Sequence, residues 1–462
     1  MMLLLLEDRS TKPAYIASQS SLYVQDGSTF LYAPYANDSG FVKLADASSR
    51  LIVDNASLDV VGQGLRLTRG QLGLNNTVDV NVTSAIATPV VGDRTDTSYS
   101  LIRANVWSPN GAWLAIGLGS PYFLNVFKAS DLTTSVFSAA MGGFFMNSFT
   151  NDGVNLIAWT PDSDCFVFPS GSNLISVYRI DSLGNCSLVE AKNVGDSIYS
   201  LAFSPDGKWL AVGGDANFYI YPVNENKTLG TVVTHSGVSQ VFALAWSPNG
   251  RCLALSWGSV DDYRLKVGTV DVSGNWTLTQ ALGKSGNFPP TSITWSPDGT
   301  YLAATYSMIS TTDALYIYYM NQEDGTFGAR VTGSMPQYAH SLSWSVDSRY
   351  LLVGRSSQSY NNFLVYRIWN GQATIVQTVS TDGNPYKLVA WHPAGEKIAA
   401  YKSNYYLCTF PVTYNYITSG APAAALTLGN GGTDATQDCD VRYSAATTLH
   451  VSGSVVVDPA HS

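Results

Sequence analysis

Five histidines and five cysteines are the residues of this chain best suited to hold a metal or to act as nucleophiles. The histidines are His235, His340, His392, His450 and His461; the cysteines are Cys165, Cys186, Cys252, Cys408 and Cys439. A zinc or iron centre needs such ligands at short, repeated spacings, as in HxH, HExxH or CxxC, and none of these patterns occurs. The cysteines are widely spaced and odd in number, which argues against a disulfide framework as well. Acyl transfer requires a Gly-x-Ser-x-Gly elbow on a strand-to-helix turn. The nearest runs, Pro169-Ser-Gly-Ser-Asn173 and Val451-Ser-Gly-Ser-Val455, do not fit it. The adjacent acids Asp261-Asp262 and Glu323-Asp324 lack the alternating oxygens around a glycine that a calcium loop needs, so they read as solvated loop charges. Paired acids for sugar cleavage would have to converge from distant segments, and no pattern selects them. The sequence therefore predicts no catalytic residue, no bound cofactor and no metal.

What remains is a set of aromatic residues. Trp257, Tyr263, Tyr306, Tyr338 and Tyr360, with Tyr386 and Tyr405, fall near expected strand ends among Ser, Asn and Gly. Exposed aromatics in that setting make an adaptable contact surface for a protein or glycan ligand; packed between sheets, they are core. The long insertions at 306–314 and 356–362 are where specificity is expected. His340 precedes a strand and is placed to face a channel mouth, whereas His392 holds a position that Ser or Thr holds in related segments and reads as a turn-bonding residue.

Those related segments are the elements that must position everything else. Leu201-Ala-Phe-Ser-Pro-Asp-Gly-Lys-Trp-Leu-Ala-Val-Gly-Gly-Asp215 reads as strand, tight turn, strand. Pro205 presets φ, Asp206 bonds its own backbone and Gly207 accepts φ > 0. An aromatic followed by Ser, Thr or His recurs at Trp107, Trp159, Phe203, Trp246, Trp295, Trp344, Trp391 and Tyr443. Subtracting successive positions gives spacings of 52, 44, 43, 49, 49, 47 and 52. A period of roughly 40–50 residues built from short strands is the signature of a β-propeller. Most hairpins are followed by a third, alternating strand, such as Phe218-Tyr-Ile-Tyr221 or Phe363-Leu-Val-Tyr366, and by a more polar fourth. The fold class is all-β, with seven full four-stranded blades.

The eighth motif is incomplete. Asp440-Val-Arg-Tyr-Ser444 and Thr448-Leu-His-Val-Ser452 supply two strands, and Thr77-Val-Asp-Val-Asn-Val82 and Ala85-Ile-Ala-Thr-Pro-Val-Val91 offer two more. The expectation is an eighth blade split between the two ends of the chain. Residues 1–75 carry no repeat but show short strand-like runs at 21–24, 29–32 and 50–53, so they form a small β-rich anchoring module or arm, with the propeller occupying 76–462. Met1-Met-Leu-Leu-Leu-Leu6 has no basic flank and only a six-residue apolar run, too short to cross a bilayer. It predicts a buried first strand and not an export signal.

The repeats resemble the WD40-like propellers, in particular the variant built on a Trp-Ser-Pro-Asp-Gly turn. Trp295-Ser-Pro-Asp-Gly299 matches it fully, and Trp107-Ser-Pro-Asn-Gly111, Phe203-Ser-Pro-Asp-Gly207 and Trp246-Ser-Pro-Asn-Gly250 differ by one residue. The resemblance spans roughly residues 77 to 457. It departs from the eukaryotic pattern, because no Gly-His pair and no Trp-Asp dipeptide closes the repeats; the His/Asp network of that family is not expected. Propellers of this kind imply binding scaffolds more often than enzymes.

Composition narrows the partners. With 25 Lys+Arg against 34 Asp+Glu, a net charge of −9 and no basic run, the chain is unsuited to nucleic acid phosphates or an anionic membrane surface. The low charge and the Ser/Thr/Asn/Gly/Tyr-rich composition look like structural proteins of bacteriophage particles. The expected function is a non-enzymatic structural or attachment protein of such a virion, made in the host cytoplasm. Residues 1–75 would contact other virion or assembly proteins, the propeller loops would meet a ligand, and the chain would form a homo-oligomer. The alternatives are a cytoplasmic propeller enzyme of the lactonase or glycan-lyase type, and a soluble protein-interaction scaffold.

Overall fold

The computed structural model describes residues 102–412, apart from 120–122, 142–155, 237–239, 259–263, 284–289, 307–313, 322, 334, 347, 356–361, 370, 381–384 and 403–405. Outside that range it describes the strand backbones between residues 3 and 98 and between 413 and 457, with side chains at 51–53, 72–74 and 91. The chain divides into two compact units, one formed by Met1–Pro89 with Tyr414–Ser462, the other by Val90–Thr413.

The second unit is a seven-bladed propeller. Each blade is a four-stranded antiparallel meander. The first runs Ile102–Trp107, Trp113–Leu118, Phe123–Lys128, Asp131–Ala140; the second Ala158–Trp159, Cys165–Pro169, Leu174–Ile180, Cys186–Asn193. The third holds Ser200–Phe203, Trp209–Gly213, Asn217–Pro222, Val233–Ser236, and the fourth Gln240–Trp246, Cys252–Gly258, Arg264–Val270, Trp276–Gly283. The fifth holds Ser292–Trp295, Tyr301–Thr305, Leu315–Asn321, Thr326–Arg330, and the sixth Ala339–Trp344, Tyr350–Arg355, Asn362–Trp369, Gln372–Ser380. First strands of successive blades lie side by side. Second strands are buried along their length, as in Trp113–Leu118 and Tyr350–Arg355, whereas the outermost Asp131–Ala140 alternates towards solvent. That gradient is the reason apolar runs sit in the second strand and Ser/Thr-rich ones in the fourth.

The seventh blade closes the ring. Tyr386–Trp391, Lys397–Lys402 and Tyr406–Ile417 are its first three strands, and its fourth, Thr95–Ser98, comes from ahead of the first blade. Thr95 to Ser98 pair antiparallel with Thr409 to Tyr406. Val91 adds a clasp to the sixth blade, donating its N–H to Gln377 Oε1 (3.0 Å) and accepting from Gln377 Nε2 (3.3 Å).

The turn between first and second strands explains the repeated Ser-Pro-Asp-Gly. The Ser108 hydroxyl donates to Asn110 Oδ1 (2.7 Å) and accepts the Trp113 N–H (3.0 Å), while Gly111 N–H bonds the Ser108 carbonyl (2.8 Å). Thr160 with Asp162, Ser204 with Asp206, and Ser247 with Asn249 make the same network. Gly111 sits at φ 71°, the left-handed region glycine enters freely. Ser163 and Ser348 take that glycine position at φ 64° and 56°, and each uses its Oγ to accept a backbone N–H of the preceding blade's turn, from Asn110 and Asp298, both at 3.0 Å. The strain of a non-glycine residue there is offset by a bond between blades.

Indole groups link the blades too. Trp246 Nε1 donates to Ala202 O (3.1 Å), Trp295 to Ala245 O (3.1 Å), Trp344 to Thr294 O (3.4 Å) and Trp107 to Ala390 O (3.4 Å). Trp159 is buried and its Nε1 has no acceptor.

The first unit is a stack of parallel strands, in which the expected eighth blade is replaced. One ladder runs Ser21–Gln25, Arg50–Asp54, Gln71–Leu74, Asp440–Tyr443. A second runs Leu3–Leu5, Thr29–Tyr32, then the latter halves of Arg50–Val61 and Gln71–Thr83, then Thr448–Ser452. A third runs Ala14–Ile16, Phe41–Leu44, Leu65–Leu67, Leu426–Leu428, Val455–Val457. The chain winds through the ladders in turn, as in a β-helix. Residues 77–82 do pair with 448–452, as the sequence suggests, but in parallel and within this unit. An apolar alternation specifies which face a strand buries; it does not specify the direction of its partner. Residues 86–91 and 95–98 go instead to the seventh blade. The division expected at residue 75 is thereby replaced by one in which the propeller is inserted between Gln71–Thr83 and Leu426–Leu428. Leu51 and Val53 are buried in register with buried Leu72 and Leu74, an aliphatic ladder in which each side chain contributes about 1.5–3 kcal/mol.

Trp246→Phe and Trp159→Phe remove similar volume from equivalent positions, so their difference isolates the indole bond. Trp246→Phe removes the indole donor from the Ala202 carbonyl and is expected to cost about 1 kcal/mol more than Trp159→Phe, which deletes an unpaired donor. Denaturant midpoints of the two variants check this.

Candidate functional site

In a four-stranded meander, the first and third turns leave one end of the blade; the second turn and the link to the next blade leave the other. The two ends are chemically different here. At the turn end, neighbouring blades are tied together: Lys227 to Asp162 across the second and third, Arg251 to Glu323 across the fourth and fifth. Asp324 closes its own turn through Thr326 N and Oγ1 (2.9 and 2.7 Å). The acid pair Glu323-Asp324 is therefore occupied in structure.

At the opposite rim, the third and fourth blades gather two carboxylates, two tyrosines and two amides. The link 194–199 carries Asp196 and Tyr199, the second turn of the third blade carries Asp215, and the fourth blade opens with Gln240. Asp196 Oδ2 accepts from Ala216 N (3.2 Å), Tyr219 Oη (3.2 Å) and Asn217 Nδ2 (3.5 Å). Asp215 Oδ1 accepts from Gln240 Nε2 (2.8 Å) and Tyr199 Oη (3.3 Å), and the Tyr199 ring meets Phe242 edge-on at 5.5 Å. Gly214 brings the two halves together: its N–H bonds Asn217 O (2.9 Å) and its carbonyl accepts Val241 N–H (3.0 Å). A Cβ there would lie 2.5 Å from Asp196 Oδ2 and 2.7 Å from Asn217 O. Asp215 and Ala216 are exposed, and Asp196, Tyr199, Asn217 and Gln240 are half-buried.

The electrostatics favour docking over proton transfer. Burial pushes the Tyr199 hydroxyl up to about 12, and the Asp215 charge adds to it. Burial raises Tyr219 as well, with the Asp196 charge contributing. Both phenols stay protonated at neutral pH and act as hydrogen-bond donors, neither as base nor as nucleophile. The Asp196 and Asp215 carboxylates are held between amides and aromatic rings as hydrogen-bond acceptors. Among the described residues, no group of three or more His, Cys, Asp or Glu side chains comes together as a metal site.

The aromatics singled out by sequence are dispersed over four blades. Trp257 is half-buried with Lys266 Nζ 3.2 Å above its ring centroid, a cation–π pair within one blade. Tyr306 is buried, edge-to-face with Tyr316 at 5.3 Å, and burial raises its hydroxyl. Tyr386 is fully buried against Phe363 and Phe410 (5.4 and 5.7 Å). Tyr306 and Tyr386 are thus corrected from surface to core, because a strand end in a propeller still lies between two blades. Tyr338 is half-buried at φ 56°, and Tyr263, Tyr360 and Tyr405 lie outside the described residues. His340 is buried, and His392 bonds its turn through Nδ1, which accepts Ala394 N–H at 3.1 Å. Sequence reasoning misses the rim because its acids look like ordinary loop residues. Their one signal is a preceding glycine, in Gly195-Asp196 and Gly214-Asp215.

Comparison with known proteins agrees with the architecture. A family model described as WD domain, G-beta repeat (WD40) matches residues 189–221. That segment joins the outer strand of the second blade to the first three of the third. Among solved structures, the chain is similar to the beta-propeller domain of Cps50 (Swd1) from Myceliophteria thermophila, at 10% identity and a TM-score of 0.55, over 70% of this chain and 100% of that one. A likeness at that identity speaks for the fold alone.

Asp215→Asn keeps the shape of the rim and removes one charge. Its expected effect is a Tyr199 hydroxyl that titrates below about 12 yet above the ordinary tyrosine value, since burial, the larger cause, remains. Ultraviolet or NMR titration against Tyr199→Phe reads this directly.

Proposed function

We propose that this chain is a protein-interaction scaffold that serves as a structural or attachment component of a larger particle, a bacteriophage virion, with no catalytic activity of its own. The observation that carries the reading is the insertion: a propeller placed inside a stack of parallel strands built from both ends of the chain. Such a stack grows by backbone pairing and has no need of a reactive side chain, which suits a platform that docks on other copies or other particle proteins. The propeller then presents its rim, where Asp196, Asp215 and their tyrosine and amide neighbours stand among groups suited to hydrogen bonding. Low charge and abundant hydroxyl and amide side chains support exposure on a particle surface.

Light scattering on the full chain and on the fragment 90–413 tests this. A defined oligomer or particle-bound form of the full chain, alongside a folded monomeric fragment, is expected. Two monomers would overturn the assembly role. Hydrolytic turnover abolished by a single substitution would replace it with the enzyme reading.

A further inference from the structure

His392 occupies a place that chemistry makes unusual. In the other turns the equivalent residue is Ser or Thr, whose hydroxyl donates and accepts at once and does not titrate. His392 Nδ1 accepts the Ala394 N–H at 3.1 Å, so that nitrogen carries a lone pair. Nε2 then carries the hydrogen and donates it to the Gly111 carbonyl of the first blade at 2.9 Å. The ring also stands edge-on to Trp107 at 4.8 Å, and a Cβ on Gly111 would lie 2.6 Å from it. One neutral imidazole therefore bonds the seventh blade to the first.

That junction is where the ring can open. Every other blade completes itself from consecutive strands, whereas the seventh needs Thr95–Ser98. Opening would part this strand from Tyr406–Thr409 and would separate the first three strands of the seventh blade from the first blade together. Across the junction Trp107 Nε1 donates to Ala390 O, Asn105 Nδ2 to Ala399 O and Lys397 Nζ to Ala129 O, each at 3.4 Å, and Trp107, Leu114 and Ile116 pack in one apolar cluster with Leu388, Ala399 and Tyr401. Asn125 Oδ1, on the first blade, is buried without a partner.

We propose that the junction of the seventh and first blades is a pH-sensitive lock, released when His392 takes up a proton. The added proton at Nδ1 points at the Ala394 N–H, setting donor against donor, and places a cation among buried groups. The charged groups that face the imidazole are Glu396, whose Oε1 is 3.8 Å from Nδ1, and Lys397. Burial against the first blade and Lys397 oppose the charged ring, whereas the bond to the Gly111 carbonyl and Glu396 favour it. From the first blade, the Gly111 carbonyl and the Trp107 ring face the imidazole. Burial is the larger influence and lowers the His392 pKa below its ordinary value near 6.5. By linkage, a depressed native pKa means the open form binds the proton more readily. The contribution of His392 to closure is therefore fully present above about pH 6.5 and is lost as pH falls through the depressed value.

Hydrogen exchange on the full chain at pH 7.5 and 5.5, corrected for intrinsic rates, reads the lock. Protection of 95–98 and 386–412 is expected to fall more than that of 200–283 on acidification, by a factor set by the drop in the His392 pKa. His392→Ser installs the residue the other turns use and is expected to abolish that difference while lowering protection of 95–98 and 386–412 at pH 7.5 by about fivefold, the factor one lost hydrogen bond supplies. Because a variant can perturb folding, the His392 imidazole is also titrated by NMR in the unaltered protein, where a pKa below 6.5 is expected. An ordinary pKa, uniform acid sensitivity of all blades, or a His392→Ser protein with undiminished acid sensitivity of 95–98 would each overturn the proposal.

Discussion

A ring of sheets is stable only if its last sheet is complete and meets its first, and here four residues complete that sheet while an apolar cluster including Trp107, Leu114, Leu388 and Tyr401 packs it on the first. Thr95–Ser98 complete the seventh blade before the chain begins the first, so a strand from ahead of the repeat array is hydrogen-bonded to the third strand of its last blade. Everything else in the propeller depends on this pairing. Without it the seventh blade has three strands and an open edge, and the first blade loses its neighbour. The same pairing brings the incoming and outgoing strands of the propeller into one blade. A domain whose two chain crossings are adjacent can interrupt another domain at a single bend, which is how the parallel stack continues from Gln71–Thr83 to Leu426–Leu428 with its register intact.

Inside the ring, polar satisfaction and packing are solved by one device used repeatedly. The turn hydroxyl, the Asp or Asn two residues later and the glycine with positive φ satisfy each other, which lets the flanking aromatic be buried without leaving orphaned backbone groups. Its variations carry information. Where serine replaces glycine, at 163 and 348, the hydroxyl reaches the turn before it. Where histidine replaces serine, at 392, the reach is across the closing junction. Substitutions inside the motif are therefore concentrated on contacts between blades, which are the contacts a single hairpin does not determine.

The blades are legible in the sequence because the motif is both dense and local. An aromatic, a hydroxyl, Pro-Asp-Gly and a second apolar run fall within about a dozen residues, and each has a steric or hydrogen-bonding reason. The parallel stack is only half legible. Its strands are visible at 21–24, 29–32 and 50–53, and so is the pairing of 77–82 with the C-terminal strands; its direction is not. Tyr443-Ser444 imitates the blade motif without the Pro-Asp-Gly turn that would return the chain antiparallel. Parallel ladders such as Leu51 on Leu72 are built from residues some twenty positions apart, with no turn signature between them to announce the register. The candidate site is the least legible. Tyr306 and Tyr386 resemble surface aromatics by sequence because loop position and burial are independent in a propeller, whereas Tyr199 becomes significant only when the folded blades bring Asp215 and Gln240 to it.

The asymmetry between the two ends of each blade bears on where recognition takes place. At the turn end, side chains that differ from blade to blade hold adjacent blades together, as Lys227 with Asp162, Arg251 with Glu323 and the Ser163 and Ser348 hydroxyls do, or close their own turns, as Asp181 and Asp324 do. A partner binding there would compete with the ring's own bonds. At the rim, among the described residues, repeated contacts between blades run through first-strand hydroxyls, Ser200 Oγ donating to Val241 O (2.9 Å) and Ser341 Oγ to Lys387 O (2.7 Å), and these bonds leave Asp196 and Asp215 outside them. The Asp196 and Asp215 clusters belong to the third and fourth blades, and in the sixth blade the place of Gly214 is taken by Arg355, which donates to Gln337 O and Asn362 Oδ1. Groups that vary without a structural reason to vary are free to be chosen by a partner. The rim of the third and fourth blades, with its two carboxylates fixed by tyrosine, amide and backbone donors, is therefore the face on which the proposed recognition rests.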